Sequence, residues 1–227
     1  IARTAWLTAG MPLAVPGTTV DRQCGSSQQA IHFAAQAVMS GTQDVVLAGG
    51  VQNMSAIPIS QAMIAGQELG FTTPTAESPG WRKRFGDAEI SQFVGADMMA
   101  KKWDISRRDM EEWALQSHER ARAAIAAGRF DNEYVPLGDC VVDECPRETS
   151  LEKMASLDVL APGSDLTAAV ASQTCDGSSA ALVVSEKALK EYGLTPRARI
   201  HPMSVHGDDP VMMLSAPIPA TAYALAK

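Results

Sequence analysis

The chain has 227 residues, of which 46% are hydrophobic and 20% charged, so it can bury a core in one large domain or two modest ones. Its net charge of −7 at pH 7 argues against general affinity for nucleic acids or anionic membranes, and no apolar run approaches the roughly 20 residues that span a bilayer. The four cysteines show neither a CxxC pair nor zinc-ligand spacing, which favours reduced thiols and a cytoplasmic location.

The first part of the chain alternates helix and strand signals. Residues 1–10 predict a helix that ends at a glycine, residues 12–23 a loop held by prolines, and residues 24–39 a second helix with apolar side chains at helical spacing. The continuous apolar run DVVLAGG that follows, residues 44–50, predicts a strand covered on both faces. This order of loop, helix and strand predicts one unit of an α/β layer.

The middle of the chain, residues 57–159, is more charged and contains three bulky anchors, Trp81, Trp103 and Trp113. Such a shift in composition predicts an inserted subdomain. Within it, residues 101–130 predict two helices, and the second begins at Ser106 with Asp109 three residues on, in a capping-box arrangement.

From residue 160 to residue 227 the α/β character returns. Residues 187–193 predict a short helix and residues 197–205 predict a strand. Cys175 stands among small residues just before an Asp-Gly pair, and we expect its side chain to be buried.

Cys24 stands at the start of the second predicted helix. The unpaired N–H groups and the macrodipole at a helix N-terminus favour an anion, and therefore the thiolate form of this side chain. Three small residues follow, Gly25, Ser26 and Ser27, which leave the approach to the sulfur free of bulk, and the backbone N–H of Cys24 is a candidate oxyanion donor. A small buried apolar cysteine is the alternative, and these residues alone leave both interpretations open.

Five blocks of sequence point to a family. VDRQCGSSQQA, followed by a helix and VVLAGGVQNMS, resembles the nucleophile segment of the thiolases, which comprise acetyl-CoA acetyltransferases and 3-ketoacyl-CoA thiolases. The other blocks occur in the family's order. DISRRDMEEWALQSHERARAAIAAGRFDNEYVPL resembles the family's S-H-x-R-A helix, and PRETSLEKMASL resembles its loop-domain segment. AVASQTCDGSSAALVVSE resembles its D-G-A-A-A strand, and DDPVMMLSAPIPAT resembles its P-I-P-A segment. The TSLEKMASL stretch is most similar to degradative members.

The resemblance implies a partial, thiolase-like layered αβαβα fold with an inserted loop subdomain. Residues 1–56 would be an N-terminal core segment with the nucleophile, residues 57–159 a loop subdomain for CoA binding and oligomerisation, and residues 160–227 the return to the core and the start of a C-terminal half. The implied activity is thiolytic cleavage of 3-ketoacyl-CoA to acyl-CoA and acetyl-CoA, or the reverse condensation, through an acyl-cysteine. Coenzyme A is then a co-substrate, with no permanent cofactor and no metal, and the complete protein a homodimer or homotetramer in fatty-acid or steroid side-chain degradation.

The same resemblance assigns roles to individual residues. Cys24 matches the nucleophile, Ser172 the serine that contacts the pantetheine arm, and Ala168 lies in the same loop. Arg147 and Lys153 fall in the segment that holds the adenosine-phosphate end of CoA, although solvated surface residues would have the same composition.

Several family features differ or are not found. Gln52 stands where a Glu is common, Val170 replaces an Asn, and residues 91–93 read SQF where the family often has H-M-G, which bears on the shape of the acyl pocket. The family's G-H-P histidine, N-E-x-F asparagine and C-x-G-G cysteine are not present, so we expect an internal fragment that lacks the C-terminal catalytic half. None of the four histidines is expected to replace them: His32, His118, His201 and His206.

Two alternatives to a catalytic thiolase stay open. One is a non-catalytic, truncated thiolase-like module that binds CoA or a partner protein. The other is a ketosynthase-type condensing enzyme on the same fold, which the TSLEKMASL and S-H-x-R-A blocks disfavour.

Overall fold

The computed structural model describes residues 1–72, 75 and 78–227. These residues form two compact units, one of Ile1–Asn53 and Asp176–Met203, the other of Met54–Cys175 and Ser204–Lys227. The predicted division into residues 1–56, 57–159 and 160–227 refers to the subdomains of the family. The two compact units do not test it, so it stays a prediction. In the described part of the chain, no helix is long and apolar enough to cross a membrane.

The secondary structure follows the sequence in most places, and each predicted helix is present. The elements in chain order are α1 (Ala2–Thr8), α2 (Ser26–Met39), β1 (Val45–Asn53), α3 (Gln61–Ile64), a 3₁₀ turn (Gln67–Leu69), α4 (Pro79–Phe85), α5 (Gln92–Lys102), α6 (Arg107–Ala126), α7 (Leu151–Ala155), β2 (Asp176–Val184), α8 (Glu186–Glu191) and α9 (Pro217–Leu225).

In the first unit, β1 and β2 pair antiparallel along their whole length, from Val45 opposite Val184 to Asn53 opposite Asp176. Helix α2 packs on one face of this pair. The buried cluster between them consists of three alanines and one valine: Ala34, Ala35, Ala48 and Val183. Ile200 and Met203 are partly buried and pack against this cluster. Small side chains at this contact let the helix approach the strands closely.

The expectation that β1 is covered on both faces is wrong for this chain. Ala48 is buried, but its neighbour Leu47 is 53% exposed and Val51 is 59% exposed. Burial alternates along the strand because α2 covers one face, which is the pattern of an antiparallel pair with one packed side rather than of a fully buried parallel strand.

The strand predicted at residues 197–205 is also not formed. In the described residues the sheet contains β1 and β2 alone, and they pair with each other. Ile200 and Met203 therefore place their apolar side chains against the α2 cluster from an irregular backbone. The apolar pattern that predicted a strand reflects burial of this segment, since a strand also needs a neighbour for its hydrogen bonds.

In the second unit, the longest helix is α6, and its predicted start is confirmed. Ser106 N donates to Asp109 Oδ2 over 2.9 Å, and Asp109 N donates back to Ser106 Oγ over 3.1 Å, which completes the capping box. Helix α7 packs against α6 and buries Met154, which is 2% exposed.

Candidate active site

Cys24 lies in a tight turn immediately before α2, with an exposed side chain, and Gly25 is the N-cap of the helix. Gln23 adopts the left-handed conformation, with a φ of 48°. The turn is closed by backbone bonds from Gly25 N to Arg22 O (3.1 Å) and from Ser26 N to Gln23 O (3.0 Å). An exposed thiol at this place does not fit the alternative of a buried apolar cysteine.

The Gly-Gly pair of β1 explains how the turn is held against the sheet. A Cβ added at Gly50 would overlap Ser27 Oγ in the first turn of α2, and one added at Gly49 would come within 2.6 Å of Ser179 O on β2. Both positions therefore require glycine for close approach rather than for an unusual backbone angle. Glycine at residue 50 lets the N-terminal end of α2, and with it the Cys24 turn, lie directly on the strand.

The four other predicted site residues, Arg147, Lys153, Ala168 and Ser172, all belong to the second unit, where all four are exposed. Gln173, next to Ser172, donates from Nε2 to Cys145 O over 2.9 Å. This bond brings the predicted pantetheine segment beside the segment that leads to Arg147. The structure thus brings together two parts of the predicted CoA site that lie 28 residues apart in sequence.

Arg147 is held by helix α6. Its backbone N donates to His118 Nδ1 over 3.3 Å, and the next residue, Glu148, forms an ion pair with Arg122 of the same helix, with 3.4 Å between Arg122 Nη2 and Glu148 Oε2. The Arg147 side chain itself stays exposed. His118, which the sequence places on an amphipathic helix without a clear role, is therefore a backbone anchor for this segment.

Ala168 lies in a turn whose base is fully buried. Thr167 is 0% exposed, and its Oγ1 accepts from Ala169 N over 3.3 Å while its carbonyl accepts from Val170 N over 3.1 Å. Ser164 adds a second anchor by donating from Oγ to Asp97 Oδ1 on α5 over 3.0 Å. A buried, hydrogen-bonded base with an exposed alanine above it presents a small, fixed surface.

The comparisons with known proteins decide the family. The family model described as thiolase, N-terminal domain, matches residues 1–187. The chain belongs to the thiolase family. Its predicted fold class, a partial α/β thiolase fold with mixed helices and strands, is confirmed by that match.

Curated relatives cover the whole of this thiolase chain. It is 62% identical to the steroid 3-ketoacyl-CoA thiolase FadA6 of Mycobacterium tuberculosis, across 100% of this chain and 57% of that protein. It is 38% identical to a 3-ketoacyl-CoA thiolase of Enterobacter sp. and 40% identical to one of Pseudoalteromonas translucida, each across 100% of this chain and 59% or 58% of the relative. The thiolase chain thus spans less than three fifths of the length of these relatives.

One cysteine of the thiolase chain differs from expectation. Cys175 is exposed, not buried, because it precedes β2 at the end of an irregular segment instead of lying beneath the sheet. Cys145 is partly buried, and burial, then Asp143, then Cys175 raise the pKa of its thiol. In the described residues no group of three or more His, Cys, Asp or Glu side chains could hold a metal ion.

Two of the four histidines of the thiolase chain, His32 and His206, pack against other residues, while His201 is exposed. His32 is 7% exposed on α2, and the ring of His206 packs on Tyr223 with 5.3 Å between ring centroids. Neither ring nitrogen Nδ1 of these two has a partner among the described residues.

Sequence reasoning missed the side chains that hold the second unit's candidate site: Gln173, His118 and the Arg107–Glu111 pair of α6. The Arg-x-x-x-Glu spacing at the start of α6 was the one available signal, because residues four apart face each other on a helix. What Arg107 reaches beyond its own helix lies 47 to 50 residues away and has no local signature.

Proposed function

We propose that this chain is the nucleophile-bearing part of a CoA-dependent thiolase that cleaves 3-ketoacyl-CoA thiolytically. The observation that carries the proposal is the exposed Cys24 in a glycine-bordered turn at the start of α2, in a chain of the thiolase family. A turn that holds a thiol free of bulk, ahead of a 14-residue helix, suits a nucleophile for acyl transfer.

In the proposed reaction the Cys24 thiolate attacks the 3-keto carbon of the substrate. The bond between carbons 2 and 3 breaks, the acyl group stays on sulfur as a thioester, and the electron pair leaves with acetyl-CoA as an enolate that takes up a proton. The thiolate of a second CoA then attacks the acyl-cysteine, which releases acyl-CoA and restores the Cys24 thiolate. Splitting one carbon-carbon cleavage into two acyl transfers lowers each barrier.

Four residues of the second unit form the proposed CoA contact. Arg147 and Lys153 supply exposed positive charge for the phosphates, and the Ala168 to Ser172 loop supplies a small surface and a hydroxyl for the pantetheine arm. The bond from Gln173 Nε2 to Cys145 O supports this grouping, because it ties the loop to the segment with Arg147. CoA acts as a co-substrate in this proposal, and the complete protein as a cytoplasmic homodimer or homotetramer.

For the acyl group we propose a steroid-derived or other bulky 3-ketoacyl-CoA. The support is the 62% identity with a protein named steroid 3-ketoacyl-CoA thiolase, against 38–40% for those named 3-ketoacyl-CoA thiolase. Residues 91–93, where the SQF sequence departs from the H-M-G of many thiolases, begin α5 with Phe93 52% exposed and are the first place to look for this preference.

The experiment is intact-mass measurement after incubation with a 3-ketoacyl-CoA or acetyl-CoA, followed by peptide mapping. An acyl group on Cys24 is expected, with no adduct in Cys24→Ala and an unchanged adduct in Cys140→Ala, which removes another exposed cysteine. The same mapping on a chain extended to the length of the relatives tests whether further segments are needed. Absence of acylation in both, with CoA still bound, would favour the non-catalytic CoA-binding module.

A further inference from the structure

Arg107, in the first turn of α6, reaches across to the end of α7. Its Nη2 donates to three carbonyl oxygens, of Met154 (3.2 Å), Ala155 (3.1 Å) and Leu157 (2.9 Å). Its Nε donates to Glu111 Oε1 over 2.8 Å, one turn further along α6. One guanidinium therefore joins a carboxylate of its own helix to the carbonyl end of a second helix.

The carboxylate of this pair is buried. The Glu111 side chain is 3% exposed and that of Arg107 is 28% exposed. A buried carboxylate needs a charged, hydrogen-bonded partner, so Glu111 fixes the guanidinium in one orientation. The planar fork of arginine suits this double task, because Nε and Nη2 point toward different partners at the same time.

Helix α7 depends on such outside contacts for its position. It has five residues, far below the roughly 12 to 15 at which an isolated helix becomes marginal. Ser150 Oγ accepts from Lys153 N at its start over 3.3 Å, and Met154 buries its side chain. Arg107 Nη2 adds a charged donor to the carbonyls at its end, one of which, Met154 O, also accepts from Leu157 N over 3.1 Å.

Helix α7 exposes Glu152, Lys153 and Ala155 to solvent, and Lys153 is its one cation, one position before the buried Met154. Because the carbonyls of Met154 and Ala155 bond to Arg107, the position of the guanidinium sets that of the α7 backbone and of the Lys153 side chain. Further along α6, His118 and Arg122 hold Arg147 and Glu148. Helix α6 thus anchors the Arg147 segment and the Lys153 segment by separate side chains.

We propose that Arg107, oriented by Glu111, is a positioning residue for the phosphate-binding part of the CoA site, and that it acts on Lys153 through α7. This inference rests on the proposed function, which assigns Lys153 to CoA. The ligand chemistry is that of the nucleotide phosphates, so the effect is confined to ligands that carry them.

The test compares dissociation constants for CoA and for pantetheine, which lacks the nucleotide phosphates, by isothermal titration calorimetry. The variant is Arg107→Met with Glu111→Leu, which removes the pair without leaving a buried charge. The matched control is Lys190→Met with Glu186→Leu, an exposed pair of α8 four residues apart, with 2.8 Å between Lys190 Nζ and Glu186 Oε1 and side chains 73% and 80% exposed.

The Arg107 double variant is expected to weaken CoA binding by about fivefold to tenfold, as Lys153→Met does, and to leave pantetheine binding unchanged. Adding Lys153→Met to it produces little further loss, because both changes remove the same interaction. The control pair leaves both constants within about twofold. If the double variant does not fold, Arg107→Lys replaces it, since lysine can pair with Glu111 but lacks the second nitrogen for α7.

Unchanged CoA affinity in the folded variant overturns the positioning role. An equal loss for CoA and pantetheine overturns it as well, since that result indicates general disruption. Failure of the proposed function looks different: the parent chain then shows no preference for CoA over pantetheine, Lys153→Met has no effect, and the inference falls with the assignment of Lys153.

Discussion

The Cys24 turn and the α6–α7 region are held in place in different ways. In the turn, each contact joins residues close in sequence or relies on a glycine for close approach, as between Gly50 and Ser27. In the α6–α7 region, side chains of α6 bond to backbone atoms 29 to 50 residues away. The nucleophile turn is thus built by local backbone geometry, and the candidate CoA segments by long-range polar side chains.

The largest effect is expected from a substitution that disturbs the close approach of Gly50 and Ser27 beside the Cys24 turn. Gly50→Ala places a Cβ on Ser27 Oγ and should lower the free energy of unfolding by about 1–2 kcal/mol, because the Ser27 hydroxyl must rotate away and Ser27 Cβ still lies 3.2 Å from the added Cβ. Urea unfolding followed by circular dichroism measures the change.

Two controls accompany that variant. Gly177→Ala, on the paired strand β2, adds a Cβ that meets nothing within 4 Å and should leave stability nearly unchanged. Adding Ser27→Gly to Gly50→Ala removes the overlapping hydroxyl and should recover part of the loss. Equal destabilisation by the two alanine variants would show that close approach at residue 50 is not the reason for its glycine.

The contrast between the two regions also explains what the sequence could predict. The helix at Cys24, the capping box at Ser106 and the strand β1 rest on local patterns and are confirmed. Three predictions failed because they depend on partners distant in sequence: the covering of the second face of β1, the strand at residues 197–205 and the burial of Cys175.

The candidate site also contains features that local sequence predicts and features that depend on distant residues. A thiol before a helix is visible in the sequence, and Cys24 is exposed in its turn as a nucleophile requires. The anchors of the candidate CoA segments, Arg107, His118 and Gln173, donate to or accept from backbone atoms whose position only the folded chain defines. The roles of Cys24, Arg147, Lys153, Ala168 and Ser172 stay predictions.

The second prediction weakens the helix on which the α6–α7 region depends. Ser106→Ala removes the hydroxyl that accepts from Asp109 N and should lower the free energy of unfolding by about 1 kcal/mol. Ser117→Ala, at an exposed position in the middle of the same helix, is the control and should be neutral or slightly stabilising, because alanine has the higher helix propensity. If both variants behave alike in urea unfolding, the capping box contributes nothing beyond propensity.

The third prediction compares the reactivity of two thiols of the second unit, Cys145 and Cys140. Burial, Asp143 and Cys175 raise the pKa of the Cys145 thiol, so less of it is thiolate at pH 8. Cys145 should therefore react with iodoacetamide several-fold more slowly than exposed Cys140, and the difference should narrow as the pH rises. Rates come from quantitative peptide mapping. Asp143→Asn should speed alkylation of Cys145, and an unchanged rate would leave burial and Cys175 as the causes.

The smallest effect concerns the hydrogen bonds of Asp44, the residue immediately before β1 in the first unit. Asp44 accepts from Ser185 Oγ over 2.7 Å and from Lys187 Nζ over 3.1 Å, and these hydrogen bonds, first that of Ser185, hold the pKa of its carboxyl below the ordinary value. A carboxyl whose pKa is lower in the folded state contributes stability above its unfolded pKa and loses it as the pH falls through the folded value.

Asp44→Asn should therefore lower stability slightly at pH 7 and have no effect at a pH below the folded pKa, where the parent carboxyl is also neutral. Urea unfolding of both chains across the acid range measures the difference, and Asp139→Asn, at an exposed aspartate of the second unit, is the comparison. A difference that grows toward acid pH would contradict the sign. Because the Lys187 and Asp44 side chains are 73% and 52% exposed, the effect should also shrink in high salt, whereas the steric effect at Gly50 should not.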